Sequence, residues 1–280
     1  MYRFILFPGF KRKALTFSYD DGVRQDKRLV KLFLQHGLKG TFNICSGFQG
    51  GEYRGEEKGS MTKEEVLALY PAAGMEVAVH GARHLSLTDV PMAMALDDIL
   101  TDKKQHEADF GCIIQGMAYA NGAYNDEVVE WLQKAGIGYA RAASSTGEFS
   151  LPTDWLRWQP TCHHNDERLM ELAKAFVEEE KHWYYWCREL RLFYVWGHSY
   201  EFDHDDNWER MEKFAAYVGG REDIWYATNG EIYEYLRAAE QLQFSVDGSI
   251  VKNPTAFDIY VDILDQKRII PAAATVNFRD

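Results

Sequence analysis

KALTFSYDDGVRQDKRLVKLFLQHGLKGTFNIC, residues 13–45, is the stretch that decides the fold. Residues 13–21 are β-like, and residues 24–37 place apolar side chains at helical spacing before a terminating Gly37. Residues 39–45 form a second β-like run. The same alternation of strand-like and helix-like runs continues from about residue 14 to residue 243. This pattern is typical of a parallel sheet covered by helices.

Seven strand–helix pairs can be counted when the short run GYARAA, residues 138–143, is included as a strand. Seven pairs favour a closed or nearly closed β/α barrel over an open doubly wound sheet. Neither GxGxxG nor GxxxxGKS/T follows any of these strands, which argues against a nucleotide-binding fold. Residues 244–280 alternate without a helical run, and VDGS within them is typical of a hairpin turn. We therefore expect a barrel over residues 1–243 and a β-rich extension over 244–280 packed on it.

Charge and cysteine usage limit the classes of function. Lys and Arg total 31 against 43 Asp and Glu, a net charge of −12 at pH 7. Nucleic acids and anionic membranes require a basic surface, so we expect neither as a partner. The cysteines Cys45, Cys112, Cys162 and Cys187 form no CxxC pair, which favours free thiols in a reducing compartment. With no signal-peptide order and no run near the ~20 apolar residues of a membrane span, we expect a soluble cytoplasmic protein.

Polar residues cluster where the predicted strands end, which is the edge at which parallel β/α folds place their chemistry. These residues are Asp20, Asp21, His80, His84, Asn121, Tyr124 and His198. Two adjacent carboxylates repel each other unless a positive charge lies nearby. Two imidazoles at HxxxH spacing and one carboxylate form a facial ligand set for a divalent metal such as zinc. The second carboxylate is then placed to act as a general base, although these residues alone do not tell which aspartate has which role.

Three motifs resemble those of the NodB-type polysaccharide deacetylases, carbohydrate esterase family four. In this chain they are Asp20-Asp21-Gly22, His80-Gly-Ala-Arg-His84 and Trp196-Gly197-His198. They occur in the order and at the strand ends that are typical of that family. The resemblance implies a distorted (β/α)7 TIM-like barrel that hydrolyses N- or O-acetyl groups with a bound divalent metal. We expect Zn²⁺, with Co²⁺, Ni²⁺ and Mn²⁺ as alternatives.

Roles for the motif residues also follow from the resemblance. It implies that Asp20 is the general base and that Asp21, His80 and His84 are the metal ligands. His198 is implied to be the general acid that protonates the leaving amine. A backbone N–H after the fourth strand, near Asn121, is implied to hold the oxyanion.

The third motif departs from the family pattern. The family usually has an arginine, a proline and a tyrosine where this chain has Ala118, Ala120 and Asn121. The arginine normally holds the base, so its absence leaves open what orients Asp20. Arg141, at the end of the next predicted strand, is the candidate substitute.

Other residues are weaker candidates for substrate contact. Tyr124 lies in the same loop as Asn121, whereas Trp155 and His163 lie in an irregular segment. A core position is favoured for Trp155, and a structural or surface role for His163. The glycine-rich loop 47–60 follows the second strand and is interpreted either as a mobile lid or as an ordinary flexible loop.

The sequence leaves three functions open. The first is a metal-dependent deacetylase that acts on a small N-acetylated sugar or oligosaccharide, since a cytoplasmic enzyme does not readily meet cell-wall polymer. The second is a hydrolase of a non-sugar C–N bond, such as that of a cyclic amide or imide, on the same scaffold. The third is a non-catalytic carbohydrate-binding relative, against which the five motif residues argue. A homodimer is permitted without being required.

Overall fold

The computed structural model describes residues 4–50, 59–178, 189–263 and 265–279. The strands are β1 (Ile5–Leu6), β2 (Lys13–Asp20), β3 (Thr41–Ile44), β4 (Glu76–Val79), β5 (Gly116–Ala118), β6 (Tyr139–Arg141), β7 (Cys162–His163), β8 (Arg191–Gly197), β9 (Ile224–Tyr226), β10 (Gln243–Phe244), β11 (Ile250–Lys252), β12 (Ile259–Ile263), β13 (Gln266–Ile270) and β14 (Thr275–Asn277). The helices are α1 (Asp26–Gln35), α2 (Lys63–Ala72), α3 (Met92–Phe110), α4 (Asp126–Lys134), α5 (Leu169–Glu178), α6 (Glu201–His204), α7 (Trp208–Val218) and α8 (Asn229–Ala239).

Seven parallel strands form the barrel wall. β2 pairs with β3 at one edge and with β8 at the other, and the wall continues through β4, β5 and β6 on one side and β7 on the other. At the β6 edge, Trp158, which precedes β7 in the chain, forms an isolated parallel bridge with Arg141. The Ala142 N–H donates to the Trp158 carbonyl at 2.9 Å, and the Trp158 N–H donates to the Ala140 carbonyl at 3.0 Å. The distorted (β/α)7 barrel is therefore confirmed.

The seven wall strands are not quite the seven that the alternation suggests. β9 pairs with the first residues of β2, Lys13–Leu15, at the edge where β3 pairs further along the strand. The seventh wall position is occupied instead by β7, which lies in the segment that the sequence pattern marks as irregular. Its place is set by tertiary hydrogen bonds, because the Thr161 and His164 N–H groups donate to Tyr194 and Trp196 carbonyls at 2.8 Å. A strand of two residues is too short to show an alternation of apolar and polar residues in the sequence.

The helices cover the wall with apolar faces. Phe17 of β2 packs its ring 4.5 Å from that of Phe33 of α1 and 6.1 Å from that of Phe214 of α7. All three are fully buried, and each such ring contributes roughly 1.5–3 kcal/mol by leaving water. Capping boxes begin α2 and α8, where Thr62 and Thr228 are the N-caps. This packing holds the strand ends in fixed positions.

Two predicted segments extend beyond the described residues. The alternation of strand-like and helix-like runs includes a helix-like run over 166–183, which is seen as α5 up to Glu178, and its remainder lies outside the described ranges. Most of the predicted lid or loop, 51–58, also lies outside them. Within the described ranges, no helix is both long and apolar enough to cross a bilayer.

The residues after α8 form short antiparallel strands. One sheet has the order β1–β12–β13 and the other β10–β11–β14. β1 comes from the other end of the chain and pairs Ile5 with Val261. Val251, Val261 and Ile270 are fully buried in a cluster with Trp158 of the barrel. The β-rich segment therefore packs against the barrel, and a domain division after residue 243 stays a prediction.

Candidate metal centre and active site

Three strand ends bring the five motif residues together. Asp20 ends β2 and Asp21 follows it, His80 and His84 follow β4, and His198 follows β8. Asp21 Oδ1 lies 3.7 Å from His80 Nε2 and 3.6 Å from His84 Nε2. Asp20 Oδ2 lies 3.8 Å from both His80 Nε2 and His198 Nε2. The predicted grouping is thus present in the fold.

Asp21, His80 and His84 have the chemistry of a metal ligand set. Their ligand atoms all lie within 4.8 Å of one another, and all three side chains are buried. His80 Nδ1 is 2.9 Å from the Ala118 carbonyl, to which it donates, so the lone pair of Nε2 is directed at Asp21. One carboxylate and two imidazoles at this spacing fit a divalent transition metal with further positions open to water and substrate.

The backbone conformation at β2 explains the Asp-Asp-Gly sequence. Asp21 has φ 80°, in the left-handed region, and its N–H donates to the Asn43 carbonyl at 2.9 Å. Gly22 has φ 66°, and a Cβ there would lie 2.0 Å from Ile44 Cγ2. Only glycine fits at this position, because the chain turns tightly against β3 as it leaves the strand. The turn directs both carboxylates to the same end of the barrel.

Two buried carboxylates of α3 hold the loop that carries the histidines. Asp102 accepts hydrogen bonds from the N–H groups of Ser46, His80 and Gly81 at 2.7, 2.9 and 2.9 Å. Burial alone would raise the pKa of Asp102, but hydrogen bonds from His106 and Ser46 lower it below the usual value. Asp102 is therefore an acceptor for the backbone of the ligand loop.

Asp98, one turn earlier, performs the same function for the next part of the loop. It accepts from the backbone N–H and the Nε of Arg83, each at 2.9 Å. Sequence reasoning missed both aspartates. The spacing of Asp98, Asp102 and His106, each four residues apart on the face that carries buried Ala95 and Ile99, was the available signal.

Asp20 is held by a buried arginine and an asparagine. Its Oδ1 accepts from Asn43 Nδ2 at 2.8 Å, and its Oδ2 accepts from Arg141 Nη2. Burial alone would raise the pKa of Asp20, but the positive field of Arg141 and the neighbouring imidazoles lowers it below the usual value. The Arg141 guanidinium lies 4.3 Å from the ring centre of Trp196. The candidate substitute for the family arginine therefore contacts Asp20.

His198 lies between two carboxylates. Its Nε2 faces Asp20, and its Nδ1 is 3.1 Å from Oε1 of Glu201 in α6. Burial alone would lower the pKa of His198, but the Glu201 hydrogen bond and the charge of Asp20 raise it above the ordinary value. Glu201 was not singled out from the sequence, although its position three residues after a histidine at a strand end was a signal.

Two further histidines surround Glu201. Its Oε2 is 3.2 Å from His163 Nε2 and 3.1 Å from His164 Nε2. His164 is buried and stacks on Phe202 at 4.2 Å, and burial lowers its pKa to about 4. Burial would raise the pKa of Glu201, but the neighbouring His163, His164 and His198 lower it well below the usual range. Glu201 is thus a carboxylate among three imidazoles.

The remaining predicted residues have other contacts. Asn121 is exposed, with φ 55°, and its Nδ2 donates to Ser86 Oγ at 2.9 Å. The Tyr124 ring stacks on that of Tyr119 at 4.7 Å. The Trp155 ring packs 5.0 Å from Trp158 and 5.1 Å from Tyr233, in a hydrophobic cluster. These contacts agree with the core position favoured for Trp155, and substrate contact by any of the three stays a prediction.

Comparison with known proteins finds a matching family model. Residues 8–140 match the family model of the polysaccharide deacetylases. This part of the chain, which contains Asp20, Asp21, His80 and His84, matches that family, and the resemblance drawn from the motifs is confirmed. The family is one of hydrolases and is generally metal-dependent. Arg141, His198 and Glu201 lie beyond the matched region.

Solved structures share the fold at low sequence identity. A Mycobacterium smegmatis protein classed as a polysaccharide deacetylase has a TM-score of 0.57 and 16% identity, over 85% of this chain and 94% of its own. The PuuE allantoinase has a TM-score of 0.59 and 14% identity, over 81% of this chain and 91% of its own. No curated protein sequence matches the chain significantly. At these identities the likeness concerns the fold alone.

Proposed function

We propose that this protein is a metal-dependent hydrolase that removes acetyl groups from an N-acetylated sugar or oligosaccharide. One observation carries the proposal. Asp21, His80 and His84 form a buried ligand set, and Asp20 lies beside it, within 3.8 Å of His80 on one side and of His198 on the other. A ligand set, a base and an acid are thus adjacent in one cluster.

A divalent cation held by Asp21, His80 and His84 would supply Lewis acidity to the acetyl carbonyl and acidify an attacking water. We propose Zn²⁺, with Co²⁺, Ni²⁺ and Mn²⁺ as alternatives. Asp20 is the proposed general base. Because its pKa is held below the usual value, it is a carboxylate at neutral pH and can accept a proton. Arg141 and Asn43 fix the direction of its two oxygens.

His198 is the proposed general acid. Its raised pKa means that the imidazolium is populated near neutral pH, and its Nε2 is directed into the site beside Asp20. The leaving amine takes the proton from Nε2, so C–N cleavage does not have to release an amide anion. A backbone N–H near Asn121 is proposed to hold the oxyanion. A non-catalytic carbohydrate-binding relative would not need this set of five residues.

A second candidate is hydrolysis of a non-sugar C–N bond, such as that of a cyclic amide or imide. Ala118, Ala120 and Asn121 replace the residues usual in the family, which is compatible with a different substrate. The PuuE allantoinase, which shares the fold, also acts on a C–N bond. We also propose a cytoplasmic location, which is supported by the free thiols of Cys45 and Cys162. A homodimer stays a prediction.

Acetate release from a panel of N-acetylated sugars and short oligosaccharides tests the proposal. The protein is stripped of metal and reloaded with Zn²⁺ or Co²⁺, beside His80→Ala. His204→Ala, an exposed histidine in α6, is the matched control. We expect metal-dependent acetate release that is lost only in His80→Ala. If one metal binds per chain but no acetate is released, the second candidate, hydrolysis of cyclic amides, is favoured. If no metal binds, the proposed metal centre is wrong.

A further inference from the structure

The cluster around Glu201 has no role in the function as proposed so far. His163, His198 and Glu201 have ligand atoms within 4.8 Å of one another, which is also the spacing of a metal site. Their side chains are 24%, 22% and 22% exposed, so the group is open to solvent. Two arrangements are compatible with this spacing: a second cation among the three residues, or hydrogen bonds that orient one of them.

The backbone beside His163 distinguishes the two arrangements. The Asn165 N–H donates to His163 Nδ1 at 3.1 Å. A nitrogen that accepts a hydrogen bond carries a lone pair, so the proton of the neutral ring lies on Nε2. Nε2 itself lies 3.2 Å from Glu201 Oε2, at ion-pair distance. To bind a metal through Nε2, the ring would have to move its proton to Nδ1, against the Asn165 N–H. The geometry therefore favours a hydrogen-bonded unit.

Glu201 is fixed from two directions. His163 Nε2 and His164 Nε2 lie 3.2 and 3.1 Å from its Oε2, at ion-pair distance, and its Oε1 lies 3.1 Å from His198 Nδ1. His164 is itself immobilised, because a Cβ on Gly197 would lie 1.9 Å from its Nδ1 and its ring stacks on Phe202. When Glu201 accepts the Nδ1–H of His198, the plane of the His198 ring is fixed and its Nε2 is left facing Asp20.

We propose that Glu201 is the positioning residue of His198 and that His163 and His164 hold Glu201 in place for this purpose. This assignment rests on the proposed function only in naming His198 as the acid. The unit resembles a catalytic triad, since a carboxylate holds the Nδ1–H of an imidazole and stabilises its protonated form. The groups that face His198 are Asp20 and Asp21 from β2, Glu201 from α6, His163 from β7 and the ring of Tyr200.

The test measures the pKa of His198 directly, by NMR titration of its ring protons in the metal-free full-length chain. The resonances are assigned with His198→Gln. We expect Glu201→Gln to lower this pKa by about 1–3 units, because a neutral amide no longer stabilises the imidazolium. His204→Gln is the matched control and should leave it unchanged. In the metal-loaded enzyme, the basic limb of the kcat profile should shift to lower pH by the same amount, with KM unchanged.

Substitution of His163 provides a second test that leaves Glu201 itself unchanged. Gln at this position retains an N–H donor for Glu201, whereas Leu does not. We expect His163→Leu to lower the pKa of His198 and His163→Gln to restore most of it. An unchanged pKa in Glu201→Gln and in His163→Leu would overturn the assignment. So would a second equivalent of Zn²⁺ bound by the wild type and lost in Glu201→Gln, since that result would make the cluster a metal site. If the pKa falls while no substrate is hydrolysed, the positioning role stands and the proposed function fails.

Discussion

The two sides of Asp20 are built differently. On the ligand side, the side chains of Asp21, His80 and His84 are 3%, 1% and 7% exposed. On the acid side, those of His198 and Glu201 are each 22% exposed. The ligand side is supported by backbone N–H groups that donate to carboxylates of α3, whereas the acid side is supported by other histidines. A metal set requires fixed distances, and an acid requires access for the leaving group, which the difference in exposure matches.

The difference between the two sides is tested most directly by neutralising the two adjacent aspartates one at a time. Asp21 belongs to the ligand side and Asp20 lies between the two sides. We expect Asp21→Asn to abolish metal binding and, with it, activity. We expect Asp20→Asn to retain one metal per chain and to lose about 10²–10⁴ in kcat, the range for a general base. Metal content by elemental analysis and kcat on the same preparations separate the two.

Circular dichroism of both variants checks that they are folded. Neutralising Asp20 leaves Arg141 buried without its carboxylate, so a lower melting temperature is expected there. If both variants lost the metal equally, or if both retained it, the division into a ligand side and a shared base would be wrong.

The support of the ligand side can be weakened without touching a ligand. Asp102→Asn replaces an acceptor of three N–H groups by an amide whose NH₂ cannot accept. We expect the metal affinity to fall about 10–100-fold, the range for groups that orient ligands. We also expect the free energy of unfolding to fall by about 1–3 kcal/mol, because buried donors lose their acceptor. Metal titration and urea denaturation measure the two effects.

Asp97→Asn is the matched control for this prediction. Asp97 lies on the same helix, but its side chain is 68% exposed and forms a surface ion pair with Arg83. Such a pair contributes about 0–1 kcal/mol, so little change is expected in stability or in metal affinity. Equal effects of the two substitutions would show that the charge of α3, and not the hydrogen bonds of Asp102, supports the histidine loop.

The same comparison explains how much of the site could be predicted from the sequence. The ligand side is local: Asp21 follows a strand, and His80 and His84 are four residues apart. Such spacing can be read directly from the sequence. The alternation of apolar runs predicted the barrel for the same reason, since each helix and strand carries its own periodicity.

The acid side is not local. His163 reaches it from β7, a strand of two residues whose place depends on hydrogen bonds to its neighbours. Glu201 has a local signal in its position three residues after His198, but its neighbours His163 and His164 come from a distant segment. Asp102 belongs to the ligand side, yet it was missed as well, because an acid on a helix is by default interpreted as a solvated face. Burial decides these roles, and burial is a property of the fold.

The smallest expected effect concerns Asp26, which begins α1 below the site. Tyr70 and Ser199 donate to its two oxygens at 2.6 and 2.5 Å, and Ser199 follows His198. Burial raises the pKa of Asp26 from 3.8 to about 7, with a smaller contribution from the charges of Asp21 and Asp20. The folded chain therefore binds this proton more tightly than the unfolded chain does.

The sign of the pH dependence follows from this difference. The contribution of Asp26 to stability is fully present below about pH 4 and is lost as the pH rises through about 7. Over that window the free energy of unfolding should fall by up to ~1.4 kcal/mol per pH unit from this group.

Asp26→Asn cannot ionise, so its stability should depend less on pH between 5 and 8. Urea denaturation of the metal-free chain at both pH values measures the change, with Asp97→Asn as the control. A pH slope that is the same in wild type and in Asp26→Asn would mean that Asp26 is ionised in the folded chain. The Ser199 hydroxyl would then donate to a charged carboxylate next to His198. The acid side would therefore contain a further buried charge, and the two sides of Asp20 would differ less than the exposures of their side chains suggest.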